Sequence, residues 1–227
     1  MSAVVTKDPA DLRHIDTWLF DLDNTLYPLE SGLGLEVSAR ITDFVADFTG
    51  LPRDEAHVLQ KRYLAEHGLT LRGMMDHHGV DPDVYHANLH DVPLDCLVRD
   101  EALIAALGRL PGRRLIFTNA DEVHAARVLD HLGLVDLFED VFHIGSSAFA
   151  PKPSPESFAR IIAAHAIEPA ATAFFEDAAH NLEPAARLGM TTVLVGLDSE
   201  GCEASFIDHR APRLAAFLAA ARIKEGP

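Results

Sequence analysis

The chain has 227 residues, of which 48% are hydrophobic and 24% are charged, and its formal net charge is −16. This length allows one or two compact domains with a substantial core. The negative charge argues against a nucleic-acid polymer or an anionic membrane as the main partner. Cys96 and Cys202 are too few for a disulfide framework. No apolar run approaches the roughly 18 residues of a membrane span, and we expect a cytoplasmic protein with a polar lead-in over residues 1–14.

The first strong strand signal is followed at once by two acidic residues. Residues 17–20 are Thr, Trp, Leu and Phe, a run that predicts a buried β-strand. Asp21 and Asp23 come directly after it. Buried carboxylates are costly unless they are paired or coordinate a metal. Because ligands of open α/β sheets bind at the carboxyl ends of the strands, we expect chemistry at these two residues.

A helical region separates this strand from the rest of the chain. Between it and residue 98, apolar residues recur at helical spacing and no convincing strand is found. Three glycines end successive runs: Gly50, Gly68 and Gly79. We interpret residues 30–97 as a helical cap domain, with flexible connectors at 29–34 and 91–98. Residues 1–29 and 98–227 then form a discontinuous catalytic core.

The pattern after residue 98 alternates between helices and strands. Strands are predicted over residues 115–117, 141–145, 173–175 and 191–195, with helical segments beside them. Repeated βα units imply a parallel sheet with helices on both faces. The predicted fold class is therefore α/β, a doubly wound, Rossmann-like parallel sheet with an inserted helical cap.

Further polar side chains follow the predicted strands, namely Thr118, Asn119, Lys152, Glu176 and Asp177. A parallel sheet places such residues along one edge together with Asp21 and Asp23. Carboxylates suit Mg²⁺, a hydroxyl and backbone N–H groups suit phosphoryl oxygens, and an ammonium group neutralises developing charge. This combination predicts phosphoryl transfer, in which Asp21 forms an aspartyl-phosphate and Asp23 transfers protons.

Four segments together resemble the motifs of the haloacid dehalogenase (HAD) superfamily. They are Asp21-Leu22-Asp23-Asn24-Thr25, Thr118-Asn119, Lys152-Pro153 and Phe175-Glu176-Asp177. The resemblance covers about residues 16–197. It implies that Asp21 is the nucleophile and that Asp23 is the general acid and base. Since the dehalogenase branch lacks the second aspartate of the first motif, Asp23 favours a phosphatase.

The same resemblance implies a metal site and a phosphoryl site. The carboxylates of Asp21 and Asp177 and the backbone carbonyl of Asp23 would hold Mg²⁺. Glu176 would lie among the metal ligands or just outside them. The phosphoryl group would be bound by Thr118, Asn119 and Lys152, of which Thr118 and Lys152 also act in catalysis.

A second, finer resemblance concerns the substrate. Several segments resemble the pyrimidine 5′-nucleotidase branch, which carries a helical cap between its first and second motifs. They are Leu26-Tyr27-Pro28, Ser31-Gly32-Leu33-Gly34, and Tyr63-Leu64 together with Gly68-Leu69-Thr70-Leu71-Arg72-Gly73. This implies hydrolysis of nucleoside 5′-monophosphates, especially UMP and CMP. Arg72 is a candidate substrate-binding residue of the cap.

Other functions remain open at this point. A phosphatase of the same mechanism could act on a sugar phosphate, phosphoglycolate or another small phosphomonoester. A mutase would return the phosphoryl group to a sugar, and a binding protein would keep the fold without turnover. In each catalytic case the expected partner is a small phosphate ester, and both a monomer and a homodimer remain open.

Overall fold

A computed structural model describes residues 9–224 and contains a sheet of six parallel strands in the order β3-β2-β1-β4-β5-β6. The strands are β1 (Thr17–Phe20), β2 (Arg113–Phe117), β3 (Asp140–Phe142), β4 (Thr172–Glu176), β5 (Thr191–Val195) and β6 (His209–Ala211). The central strand β1 pairs with β2 on one side and with β4 on the other. The loops that carry the first, second and fourth motifs therefore leave neighbouring strands.

Nine α-helices occur within residues 9–224. Four follow β1: α1 (Leu33–Thr49), α2 (Arg53–His67), α3 (Thr70–His78) and α4 (Pro82–Ala87). Five belong to the alternating region: α5 (Glu101–Gly108), α6 (Glu122–Leu132), α7 (Pro155–His165), α8 (Ala179–Arg187) and α9 (Leu214–Ala220). No helix of this described part of the chain is both long and apolar enough to cross a membrane.

The sheet is covered by helices on both faces because successive strand residues point to opposite sides. Trp18 and Phe20 of β1 pack in one buried cluster with side chains of α5, α6 and α9. Leu19 packs in a second cluster with side chains of α7 and α8. Fully buried parallel strands require such continuous apolar runs. The predicted doubly wound α/β fold is confirmed.

Helices α1–α4 pack around their own apolar cluster, which we call the cap cluster. It contains Val45 of α1, Tyr63 of α2 and Met74 of α3. Phe149, from the core loop that follows β3, packs against the same cluster. Gly68 lies against this loop too, since a Cβ atom there would be 3.3 Å from Pro151. The cap helices therefore contact the loop that leads to Lys152.

Several local predictions were wrong. The edge strand β6 was missed because its three residues lack an apolar run. Strand β3 ends at Phe142, because residues 144–149 turn back through hydrogen bonds such as Phe149 N to Ile144 O. The connector at 29–34 is ordered as a 3₁₀ turn (Leu29–Ser31) and the start of α1. The bounds of the two domains stay a prediction.

The lead-in also differs from the prediction over its described part. Residues 1–8 lie outside the described residues. Leu12 is fully buried, and its N–H donates to the carbonyl of Arg222 at 2.8 Å. This segment is thus part of the core and pairs with the backbone at Arg222. The pattern concealed this because Leu12 stands between charged neighbours, Asp11 and Arg13, and such an isolated apolar side chain predicts no burial.

Candidate active site

Lys152 is the centre of a buried polar network at the carboxyl ends of the strands. Its Nζ donates to Asp21 Oδ1 and to Glu176 Oε2, both at 2.7 Å, and to the Phe117 carbonyl at 2.8 Å. The lysine, the aspartate and the glutamate are all buried. Burial alone would lower the pKa of Lys152, but the two carboxylates hold it above its ordinary value. The ammonium group therefore stays charged.

The second-motif residue Asn119 fixes the backbone of Lys152. Its Nδ2 donates to the Lys152 carbonyl at 3.2 Å, and its Oδ1 accepts from the Lys152 N–H at 2.8 Å. Asn119 was predicted to bind the phosphoryl group, yet its side chain already serves this loop. A phosphoryl role for Asn119 stays a prediction, and its backbone N–H takes no part in these two hydrogen bonds.

Three carboxylates lie close to Lys152, those of Asp21, Glu176 and Asp177, with one oxygen of each within 4.8 Å of the others. Burial and the nearby Glu176 raise the pKa of Asp21 to about 7. Burial and the Asp21 charge also raise the pKa of Asp177. One ammonium group thus faces three acids, and the cluster has excess negative charge. An all-oxygen site of this kind fits Mg²⁺.

Both carboxylate oxygens of Glu176, which was predicted to lie among the metal ligands or just outside them, already accept hydrogen bonds from the protein. Its Oε2 accepts from Lys152, and its Oε1 accepts from the Ala178 N–H at 3.2 Å. Burial, followed by the interaction with Asp177, keeps its pKa raised although Lys152 acts in the opposite direction. Glu176 orients Lys152 through these contacts, and its role as a metal ligand stays a prediction.

Asp23 is held by two side chains that the sequence reasoning gave no role. Tyr27 Oη donates to Asp23 Oδ1 at 2.6 Å, and His124 Nε2 lies 2.8 Å from the same atom. Burial would raise the pKa of Asp23, but these two contacts keep it lowered. Burial and the Asp23 charge raise the pKa of Tyr27, so the phenol stays protonated. The sequence carried one sign of the Tyr27 contact, namely that Tyr27 lies four residues after Asp23.

Two further predicted residues occupy different surroundings. Thr118 is buried beside the site, and its Oγ1 accepts from the Ala120 N–H at 3.0 Å, which leaves the hydroxyl hydrogen to donate. Arg72 lies on the cap surface, where its Nε donates to Asp76 Oδ2 at 2.9 Å. The strand ends bring Thr118 together with the acids and Lys152. Arg72 pairs within its own helix instead, and its substrate role stays a prediction.

A groove of about 670 Å³ opens beside Asp177 and Asn24. Its walls come from the loops that follow β1, β5 and β6, and include Tyr27, Leu197 and Arg213. Among the described residues, its lining contains no member of α1–α4. The groove therefore adjoins the acidic cluster at Asp177 and reaches the connector to the cap at Leu29 and Glu30.

A family model described as haloacid dehalogenase-like hydrolase matches residues 15–189. The chain belongs to this family. The resemblance carried by the four motifs is thereby confirmed at the level of the HAD superfamily, and the protein is a HAD-like hydrolase. The finer assignment to the pyrimidine nucleotidase branch stays a prediction.

Relatives of this hydrolase include Phosphate metabolism protein 8 of Saccharomyces cerevisiae, which is 29% identical over 203 residues. The match covers 82% of this chain and 63% of the yeast protein. Among solved structures, a HAD phosphatase from Thermococcus onnurineus has a TM-score of 0.65 at 22% identity and covers 92% of this chain and 100% of its own. The magnesium-bound HAD hydrolase YfnB from Bacillus subtilis has a TM-score of 0.61 at 14% identity, covering 90% and 97%. At these identities the structures establish the fold.

Proposed function

We propose that this HAD-like hydrolase is a Mg²⁺-dependent phosphomonoesterase that works through an aspartyl-phosphate on Asp21. The observation that carries the proposal is the placement of two different aspartates. Asp21 is buried against Lys152, whereas Asp23 is partly exposed and is held by Tyr27 and His124. This difference supports Asp21 as the carboxylate that attacks phosphorus and Asp23 as the group that exchanges protons with a leaving group or water.

The reaction divides into two displacements at phosphorus. In the first, a carboxylate oxygen of Asp21 bonds to phosphorus while the ester oxygen departs and takes a proton from Asp23. In the second, Asp23 takes a proton from water, whose oxygen bonds to phosphorus and releases Asp21. Lys152 and the Thr118 hydroxyl would bind phosphoryl oxygens and stabilise their charge in both steps.

Asp21, Asp177 and the backbone carbonyl of Asp23 would hold Mg²⁺. The fit rests on the three clustered carboxylates and on the raised pKa values that their mutual repulsion and burial produce. When bound, the cation would neutralise these acids and the anionic substrate, which would otherwise repel one another. Lys152 would remain the second cation of the site.

For the substrate we propose a pyrimidine nucleoside 5′-monophosphate, UMP or CMP. The support is the resemblance of the first-motif extension and of the segment from Gly68 to Gly73 to that branch of the superfamily. Gly68 lies against the loop of Lys152, so the segment from Gly68 to Gly73 begins beside a residue that we propose to bind the phosphoryl group. The yeast relative's name places that protein in phosphate metabolism, which agrees with a phosphate ester.

Phosphate release from a panel of esters tests these proposals together. The panel contains UMP, CMP, purine nucleotides, sugar phosphates and phosphoglycolate, each with Mg²⁺ and with EDTA. We expect metal-dependent release with UMP or CMP preferred. Preference for a sugar phosphate or phosphoglycolate would contradict the proposed substrate but not the proposed mechanism. Formation of a phosphosugar isomer would indicate a mutase, and no release from any ester would contradict the phosphatase.

The metal ligands are tested with Asp177→Asn. We expect the Mg²⁺ concentration for half-maximal activity to rise by about ten-fold or more, as removal of a ligand charge weakens binding. The matched control is Asp198→Asn, which removes an exposed acid from the neighbouring groove. Equal metal dependence in the Asp177 variant and the wild type would exclude Asp177 as a ligand.

A further inference from the structure

We propose that Tyr27 and His124 are positioning residues that hold the Asp23 carboxyl group so that its Oδ2 atom performs both proton transfers. The inference rests on the proposed function, in which Asp23 is the general acid and base. It gives a role to two buried side chains that lie outside the four motifs. Neither residue contacts the acidic cluster around Lys152 in the hydrogen bonds of residues 9–224.

Both contacts converge on a single atom of Asp23. Tyr27 Oη and His124 Nε2 lie 2.6 and 2.8 Å from Oδ1. Within the described part of the chain, Oδ2 has no hydrogen-bond partner. Two short contacts from different directions fix the plane and rotation of a carboxyl group. The carboxyl group is thus anchored through one oxygen and free at the other.

This division suits a group that must act first as an acid and then as a base. The Tyr27 phenol donates to Oδ1, and a His124 ring that carries its proton on Nε2 donates to the same atom whether Asp23 is ionised or protonated. With both donors on Oδ1, the carboxyl proton is confined to Oδ2. The proton leaves Oδ2 for the ester oxygen as the bond from that oxygen to phosphorus breaks. It is replaced from water as the new bond from oxygen to phosphorus forms.

The chain holds the two donors from separate elements. Tyr27 is brought back over Asp23 by a turn in which the Leu26 N–H donates to the Leu22 carbonyl at 3.0 Å. His124 lies in the first turn of α6, where its N–H donates to the capping side chain of Asp121 at 3.2 Å. Each donor is therefore placed by backbone structure and does not depend on the other.

Exposure separates the positioning residues from the acid itself. The side chain of His124 is 7% exposed, and that of Asp23 is 35% exposed. A leaving group or a water molecule can thus reach the carboxyl group but not the imidazole. The same holds for Tyr27, which is buried. A direct proton transfer from either residue to substrate is inconsistent with this arrangement.

The cap also contacts this arrangement through Asp121. His90, which follows α4, has its Nε2 3.2 Å from Asp121 Oδ1, the atom that caps α6. A side chain from the cap region thus touches the residue that fixes the first turn of α6. Two successive contacts link the cap to His124, and a third links His124 to Asp23.

The experiment compares two phosphomonoesters that need the acid to different degrees. An alkyl ester such as the preferred nucleotide has a poor leaving group, whereas 4-nitrophenol leaves without a proton. For Tyr27→Phe and His124→Leu, we expect kcat/KM to fall about ten-fold or more with the alkyl ester and less than about three-fold with 4-nitrophenyl phosphate. His124→Gln keeps a donor near the position of Nε2, and it should restore most of the loss.

A matched control comes from the same helix. His131 of α6 contacts the Leu97 carbonyl and makes no hydrogen bond to Asp23 in the described part of the chain, so His131→Leu should leave the ratio between the two esters unchanged. Melting temperatures establish that each variant is folded. Equal losses with both esters, or no loss with either, would overturn the positioning role. A loss confined to the alkyl ester, with rescue by glutamine, would support it.

A second measurement is independent of turnover. In protein with ¹⁵N-labelled histidine, the His124 signal should report a proton on Nε2, and Asp23→Ala should shift that signal. A proton on Nδ1 alone, or a signal that is insensitive to Asp23, would overturn the inference even in an active enzyme. If the wild type hydrolyses neither ester, the proposed function fails, and the NMR result still decides whether Asp23 is held as described.

Discussion

The polar residues of the core site and those of the cap are held in different ways. Asp21 and Lys152 are buried and joined at 2.7 Å, and their contacts link loops from several strands. In the cap, the ring Nε2 atoms of His67 and His77 lie 3.3 Å apart on an exposed surface, and Arg72 pairs with Asp76. The side chains of the core site hold one another in place through a single network of contacts. Residues of the cap surface can be substituted one at a time, which suits the role in substrate selection that we propose for this region.

The largest effect that separates the two regions is expected at the nucleophile. Asp21→Asn should lower kcat by at least about 10⁴-fold, because an amide cannot form the acyl-phosphate. The protein should remain folded, since Lys152 keeps Glu176 as a partner. Phosphate release and circular dichroism provide the measurements, with Asp198→Asn as the control. A variant with activity near that of the wild type would remove Asp21 from the mechanism.

The next effect concerns stability and compares one lysine of the core with one arginine of the cap. Lys152→Met leaves Asp21 and Glu176 without their buried cation and should reduce the free energy of unfolding by about 3–5 kcal/mol. Arg72→Met breaks an exposed pair four residues apart, which is worth only about 0.3–0.5 kcal/mol. Urea unfolding in EDTA measures both. Similar losses in the two variants would contradict the contrast between core and cap.

A smaller effect is the pH dependence of the metal-free protein. The pKa of Asp21 is raised from 3.8 to about 7, so between these values the folded state binds more protons than the unfolded state. Its contribution to stability is complete below about pH 4 and is lost as the pH rises through 7. In EDTA the melting temperature should fall over this range.

Two comparisons assign that pH dependence to the site. Asp21→Asn removes the titrating carboxyl and should flatten the fall in melting temperature. A fixed Mg²⁺ concentration of about 100 times the Kd at pH 8 should stabilise the wild type by about 2.7 kcal/mol at that pH and by less at lower pH. A pH dependence that is the same in Asp21→Asn and unaffected by Mg²⁺ would show that other groups cause it.

The smallest effect on chemistry is expected in the cap. Arg72→Ala should change KM for the nucleotide substrate by up to about ten-fold and leave kcat for 4-nitrophenyl phosphate within about two-fold. The reason is that Arg72 lies on the cap surface and has no contact with Asp21 or Lys152 in the described structure. Steady-state kinetics with both esters measures this. An equal fall of kcat with both would give Arg72 a place in the core site.

The core could be predicted from the sequence because its signals reinforce one another. Residues 18–20 of the first strand are all apolar, and the acidic residues after it, Asp21 and Asp23, are costly to bury unless they are paired or bind a metal. Lys152 gave a weaker signal alone, since a lysine in a loop is usually solvated. Its burial follows from the acids on neighbouring strands, which the sheet order brings to the same edge.

The remaining features depend on contacts between segments far apart in the chain. His124 lies 101 residues from Asp23, and its place in an amphipathic helix gives no sign of that contact. The side chain of Asn119 is used by the Lys152 backbone, which a motif cannot reveal. Edge strand β6 has three residues, two of them polar, so its pairing with β5 follows from the sheet and not from its own residues.

The most direct test of the account is a burst experiment with Asp23→Asn and 4-nitrophenyl phosphate. This ester can phosphorylate Asp21 without an acid, but hydrolysis of the intermediate then lacks its base. The account predicts a rapid release of one 4-nitrophenolate per active site, followed by slow turnover, with Mg²⁺ present. The burst should be absent from the double variant that carries both Asp21→Asn and Asp23→Asn. Slow linear release without a burst, or a burst that survives the loss of Asp21, would contradict the aspartyl-phosphate mechanism.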